Sequence, residues 1–202
     1  SEILPRYGTP VLVHANNSLG LFGYKNWQDE FFPAAEGLSG DTMRKKIVKR
    51  DKSCFACPAR CGKFSIIGEG PYEGVRNEGP EYEDIFSLGS MCGHNDIEVV
   101  AAAERLCDDV GVDAIETGVA IAFAMECCER GLLRREDTDS IDLKFGRAEL
   151  IVPLVEKIAL RRGKLGNLLA EGVRRASETL GNGSYHFAMH NKGLTFAGHS
   201  AR

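Results

Sequence analysis

NDIEVVAAAERLCDDVGVDAIETGVAIAFAMECCERG, residues 95–131, reads as two helices and the acidic turn between them. Asn95 with Glu98 three positions on makes a capping-box-like start, and Val99, Ala103, Leu106 and Val110 recur at helical spacing until Gly111 offers a stop. Thr117 is positioned to cap a second helix through GVAIAFAMECCER, ended by Gly131; its nearly all-round apolar content places it at the centre of a core. Further on, REDTDSIDLKFG is a polar connection. RAELIVPLVEKIALRR sets Leu150, Leu154 and Ile158 on one stripe, with Pro153 in the first turn or at a kink. A fourth helix, NLLAEGVRRASETL, is expected after GKLG, closing at Gly181. Upstream, residues 1–40 are rich in Gly, Pro, Asn and Phe, which suggests loops with a brief helix or extended piece at VLVHA. DTMRKKIVKRDKS is a polar, basic lead into a cysteine triplet, and KFSII with GEGPYEGVRNEGPEYE reads as a short strand or hairpin followed by a Gly-rich loop. The expected fold is mainly α: a multi-helical domain with a loop-rich N-terminal part and a short strand or hairpin after the triplet.

Composition narrows the function. With 202 residues, 43% hydrophobic and 27% charged, the chain can bury one good core. A formal net charge of -4 without a long basic run argues against a nucleic-acid surface, leaving small molecules or proteins as partners. Seven cysteines, two of them adjacent at Cys127 and Cys128, fit reduced thiols in a cytoplasm better than a disulfide framework. The run GVAIAFAM is too short to span a bilayer, and SEILPRYGTP has neither a basic nor an apolar leader region, so a soluble, untargeted protein is expected. A start without Met and an end at Arg202 with no helix stop read as a segment of a longer protein.

Four stretches carry chemistry. CFACPARC places Cys54, Cys57 and Cys61 in eight positions. Zinc would need a fourth ligand, for which Cys92 and His94 in SMCGHND are available. An iron-sulfur cluster tolerates a fourth cysteine from elsewhere and fits the triplet better; a thioredoxin-like use fits least, because no βαβ unit surrounds it. In CDDVGVDAIETG, Asp108 and Asp113 flank Gly111. Solvated acids at a helix end are the ordinary explanation, yet acids there oppose the helix dipole, and carboxylates beside a turn suit a ligand rich in N–H donors. GPEYED crowds three acids around Tyr82, where a charged loop is the plain reading. MHNKGLTFAGHSAR sets His190 and Lys192 among apolar and glycine residues, and a lone histidine is more often structural than catalytic.

In this order, CFACPARCGK, GPEYEDIFSLGSMCGHND, CDDVGVDAIETG, AIAFAMECCERG, LAEGVRRA and HNKGL resemble the tungsten- and molybdenum-dependent aldehyde ferredoxin oxidoreductase family across nearly the whole chain. The resemblance implies a helical middle domain at residues 1–145 and the start of a third, helical domain at 146–202, after a β-rich domain that is not part of this sequence. It implies that Cys54, Cys57 and Cys61 ligate a [4Fe-4S] cluster whose fourth cysteine lies beyond Arg202. Asp108, Gly111 and Asp113 would hydrogen-bond one pterin of a tungsten or molybdenum bis-pterin (molybdopterin) cofactor, and Lys192 would contact the second. Glu83 and His190 match the acid-base pair near the metal. The implied reaction interconverts aldehydes and carboxylates and passes electrons to a ferredoxin; a homo-oligomer stays open. One departure stands out: the chain reads TFAGHSAR, with His199 and Ser200 where the family usually has Tyr and Asp. Benzoyl-coenzyme A reductases share the superfamily, but retention of Glu81-Tyr82-Glu83 favours the aldehyde branch. The rival from another class is a zinc-stabilised helical interaction module without catalysis.

Overall fold

A computed structural model describes residues 3–199; Ser200 and the chain end lie outside the described residues. The chain opens with three short helices, α1 (Ile3–Tyr7), α2 (Leu12–Ser18) and α3 (Gly40–Lys46). A three-stranded antiparallel sheet follows in the order β1 (Val48–Asp51), β2 (Lys63–Ile66), β3 (Arg76–Glu78), with Asp51 opposite Lys63 and Phe64 opposite Glu78. The β2–β3 pair is the hairpin expected after the triplet. The basic lead, by contrast, is ordered as α3 and β1: the Ser39 hydroxyl accepts from the Thr42 N–H at 3.1 Å, while Met43 and Ile47 are buried. The cysteines therefore sit on the long loop joining β1 to β2.

The remainder is helical. α4 (Tyr82–Asp84) runs on through a wide π turn at Ile85–Gly89 and a 3-10 turn at Ser90–Cys92, all buried from Ile85 to Cys92. α5 (Ile97–Val110) and α6 (Ala114–Glu129) are the helices of the opening stretch. Their caps differ from expectation. Asp96, not Asn95, accepts from the Glu98 and Val99 N–H groups at 3.0 and 3.4 Å. Asp113, not Thr117, accepts from Glu116 N–H at 2.8 Å, so α6 starts a turn earlier and Thr117 is buried inside it. Gly111, with φ 72°, supplies the left-handed stop. Of the α5 stripe, Val99 and Ala103 are buried, while Val110 emerges at the helix end.

α6 is the centre of the core, with Val119, Ile121, Phe123 and Met125 all fully buried. It crosses the π turn at Gly118, where a Cβ would stand 2.5 Å from the Ser87 carbonyl. A helical glycine costs about 1 kcal/mol, but each large side chain that this close crossing buries returns about 1.5–3 kcal/mol. Packing wins.

α7 (Ile151–Ala159) buries Ile151, Leu154, Val155 and Ile158, and Pro153 sits in its first turn, where a missing N–H removes no helical bond. The expected fourth helix is two, α8 (Gly163–Leu169) and α9 (Gly172–Leu180). Gly163 to Gly166 belong to α8, because Gly166 has no room for a Cβ against the Lys157 carbonyl, and Gly172 at φ 77° breaks the run. α7 packs on both α5 and α8, so the core is continuous through residues 145 and 146. A two-stranded hairpin, β4 (His190–Asn191) and β5 (Leu194–Thr195), closes the described chain. Among the described residues no helix is long and apolar enough to cross a membrane.

Candidate functional site

The acids of GPEYED divide their labour at the start of α4. Glu81 and Asp84 form a capping box, the Glu81 N–H donating to Asp84 at 2.9 Å. The Thr9 hydroxyl donates to Glu81 and accepts from the Tyr82 N–H at 2.9 Å. Tyr82 is buried, which pushes its phenol well above the ordinary range and keeps it a donor; it donates to the Gly198 carbonyl at 2.6 Å and accepts from Asn16 at 2.7 Å. Only Glu83 is left facing a partly open space. Its Oε2 accepts from the Gly198 N–H at 2.7 Å, and its Oε1 lies 2.7 Å from His199 Nδ1. The His199 ring rests on Tyr82 with centroids 4.8 Å apart. Gly198 cannot be larger, since a Cβ would stand 2.6 Å from the Phe86 ring.

The acid-base pair expected at Glu83 and His190 is thus not a direct one. His190 lies on β4 opposite Thr195, with Nδ1 accepting from Gly193 N–H at 3.3 Å, and among the described residues no hydrogen bond or ion pair joins it to Glu83. The imidazole in contact with Glu83 is that of His199, noted in the sequence only as a departure.

Asp84 of GPEYED forms an acid pair with Glu104, which no motif marks. Glu104 is buried on α5, accepts from the Asn77 amide, and presses on Gly79 so closely that a Cβ there would lie 2.5 Å from its carboxyl. Burial and then Asp84 push the Glu104 carboxyl far up; burial likewise raises Asp84. Each ionised carboxyl would further favour the protonated form of the other. The signal in the sequence was an acid one position after Ala103, on the buried side of an otherwise apolar helix.

At the acidic turn, both Asp108 and Asp113 are exposed, and Gly111 has open space where a Cβ would be. A cleft of about 450 Å³ opens beside Asp113, Glu116 and Thr117, walled by Arg161, Gly172 and Leu194. A second, of about 410 Å³, is lined by Lys192, Arg174 and Arg175 and shares Glu171, Gly193 and Leu194 with the first. Lys192, at φ 56°, and Gly193 form the two-residue turn that carries the lysine there. Asp108 does not line either cleft; its charge instead acts on Asp84 and Glu104. The structure thus brings Asp113 and Lys192 to adjoining clefts and leaves Asp108 apart.

Cys54, Cys57 and Cys61 are free thiols on the β1–β2 loop, exposed to half-buried. Cys57 N–H donates to the Cys54 carbonyl at 3.1 Å, and the residues before Cys57 and Cys61, Ala56 and Arg60, both adopt left-handed backbone. Lys63 anchors the loop from below. It is 2% exposed, and its ammonium donates to the carbonyls of Pro5, Arg60, Cys61 and Gly62 at 3.0–3.3 Å, with Asp51 at 3.5 Å. Among the described residues no three His, Cys, Asp or Glu side chains are gathered closely enough to hold a metal ion. The two zinc candidates are committed elsewhere. Cys92 is fully buried against the Ser87 and Gly118 carbonyls, its thiol pushed up by burial, and His94 Nε2 lies 2.7 Å from the Leu88 carbonyl. Neither is gathered with the cysteine triplet among the described residues.

A family model described as aldehyde ferredoxin oxidoreductase, domains 2 & 3, matches residues 1–202. The chain belongs to the aldehyde ferredoxin oxidoreductase family. Its relatives include the tungsten-containing aldehyde ferredoxin oxidoreductase of Pyrococcus furiosus, 41% identical over 183 residues, covering 89% of this chain and 29% of the relative. The enzyme of the same name from Thermococcus kodakarensis is 39% identical over 187 residues, covering 92% and 30%. An aliphatic sulfonate oxidoreductase, WOR-like subunit, of Pyrococcus furiosus is 31% identical over 182 residues, covering 88% and 29%. The chain therefore spans under a third of the length of these relatives. The fold also matches a chain of the BamBC active-site complex of benzoyl coenzyme A reductase, with TM-score 0.68 and 22% identity, covering 92% of this chain and 27% of that one.

The residues of this family member suit the groups that aldehyde ferredoxin oxidoreductases imply. Three soft cysteine sulfurs on one loop match iron-sulfur chemistry rather than a hard cation. The adjoining clefts offer carboxylate acceptors at Asp113 and Glu116 and a cation at Lys192, which suits a ligand with both N–H donors and anionic groups.

Proposed function

We propose that this chain is the part of an aldehyde:ferredoxin oxidoreductase that holds a [4Fe-4S] cluster and one face of a tungsten or molybdenum bis-pterin cofactor, in a reducing cytoplasm. The observation that carries this reading is a pair of backbone bonds. Thr195 N–H donates to Glu116 at 2.7 Å and Gly198 N–H donates to Glu83 at 2.7 Å, so the segment after the Lys192 turn ties the acidic-turn helix to the Glu83 helix. Three motifs far apart in sequence thereby meet along one strap. Among the described residues, the fourth-ligand candidates of the zinc-module alternative, Cys92 and His94, are buried with other partners.

When bound, the metal-pterin centre would supply the two-electron redox step and the cluster would carry electrons singly toward a ferredoxin. The chain's own residues have simpler tasks. Cys54, Cys57 and Cys61 would hold the cluster, with Lys63 fixing the carbonyls beneath them. Asp113 and Lys192 would hold pterin groups, with Asp108 and Gly111 shaping the turn. Glu83 would hold or move a proton beside the aldehyde, and His190 is kept as the second candidate on the hairpin. The division into family domains at residues 145 and 146 belongs to the same proposal; the polar connection before it supports the division, while α7 packs on α5 across it.

The test is made in the complete protein. Cys57→Ser should remove or convert the cluster while the helices stay folded, because a hydroxyl is a poor iron ligand. Iron content and reduced-state EPR check it, and elemental analysis of the wild type should find tungsten or molybdenum with iron. Zinc alone would sink the proposal.

A further inference from the structure

We infer that His199 is the proton-exchange partner of Glu83, connecting that carboxylate to bulk water. The inference rests on the proposed function of Glu83 and adds a residue to it. Both Glu83 oxygens are occupied: Oε2 by the Gly198 N–H and Oε1 by His199 Nδ1, each at 2.7 Å. A backbone amide cannot exchange protons usefully, so the imidazole is the titratable group in direct contact with the carboxylate. The other titratable group packed on the ring, Tyr82, is committed to the Gly198 carbonyl and is no competitor.

The position is over-determined. Gly198 is pinned through its N–H by Glu83, through its carbonyl by Tyr82, and by the Phe86 ring beneath it. The adjacent ring is thereby delivered to Glu83. The His199 side chain is 52% exposed against 26% for Glu83, and among the described residues Nε2 has no partner. One nitrogen faces the carboxylate and, among the described residues, the other is left to solvent, which is the arrangement a relay needs. In the inward direction Nε2 takes a proton from water as the Nδ1–H bond breaks and an Oε1–H bond forms. Outward, both transfers reverse. One proton moves between bulk and Glu83, and the imidazole is neutral before and after. Oxidation of an aldehyde to an acid draws an oxygen from water and releases protons, so such a path has work at this site.

The test uses the complete enzyme. His199→Ala should lower kcat about 10²-fold with KM for aldehyde unchanged, and added imidazole should restore part of it. Unchanged kcat, or a loss that no imidazole recovers, overturns the relay. A second measurement needs no turnover: ¹⁵N-histidine NMR should show His199 as the Nδ1–H tautomer, and Glu83→Gln should abolish that preference. A ring protonated on Nε2 alone overturns the inference too. If the wild type oxidises no aldehyde, the functional reading fails by itself, and the tautomer still decides whether the pair exists.

Discussion

Lys63 shows how much one side chain can support without appearing in any motif. Its ammonium serves three loop carbonyls, the Pro5 carbonyl of α1 and Asp51 in an almost fully buried position. Lys63→Met keeps the bulk but leaves those carbonyls without a donor, at a cost of about 3 kcal/mol or more. The urea midpoint of the complete protein should fall accordingly, and iron content should fall with it, since the cysteine loop loses its floor. Retained stability with retained iron would show the carbonyls finding water instead. Nothing in the sequence around Lys63 announced this, because KF after CG reads as an ordinary strand start. Glu83 was legible as one acid among three; which of the three stays outside the helix cap depends on Thr9 and Gly198, 72 and 115 residues distant from their partners.

Helices were more legible than their ends. The spacing of Val99 and Ala103, and the unbroken apolar run to Met125, fix α5 and α6, since each buried side chain outweighs local propensity. The caps slipped because Asn95-Asp96 and Asp113-x3-Thr117 each offer two competent residues, and the choice is made by tertiary packing. Asp113 now carries two claims, as α6 cap and as pterin ligand. Asp113→Ala should cost about 1 kcal/mol of stability. Asp113→Asn keeps a capping oxygen but no charge, so it should hold stability while lowering pterin occupancy. Thermal melts and cofactor content of the two variants separate the claims; equal occupancy in wild type and Asn variant would leave Asp113 as a cap alone. The division of the fourth helix was missed for a different reason. Gly172 lies within a pattern that stays periodic across it, and only its left-handed backbone reveals the break.

The molecule as a whole should respond to pH in an unusual direction. Glu104 ionises near about 4.3 in an unfolded chain, whereas burial holds its proton to higher pH in the folded one. The folded state then binds more protons, so stability is largest below that range and falls as pH rises above it, by at most about 1.4 kcal/mol per pH unit. Asp51, held down chiefly by its hydrogen bond from Arg44, works oppositely, its contribution being lost as pH falls below the ordinary carboxylate range. Denaturation between pH 5 and 9 should show the decline, and Glu104→Gln should flatten it; an equal slope in both would place the proton elsewhere. The motif order and the helical class could be read from residues, but this pair could not, because Asp84 and Glu104 meet only after α4 and α5 have packed.

The strap from Thr195 to His199 has one further property. It is fastened by the amides of Thr195 and Gly198, which every residue except proline possesses. Phe196 and Ala197 between them are exposed, and Leu194 just before is 72% exposed. Side chains at these positions can be exchanged without loosening the fastening, so the outer surface of the strap is free to vary while the contacts that hold Glu83 and Glu116 stay in place.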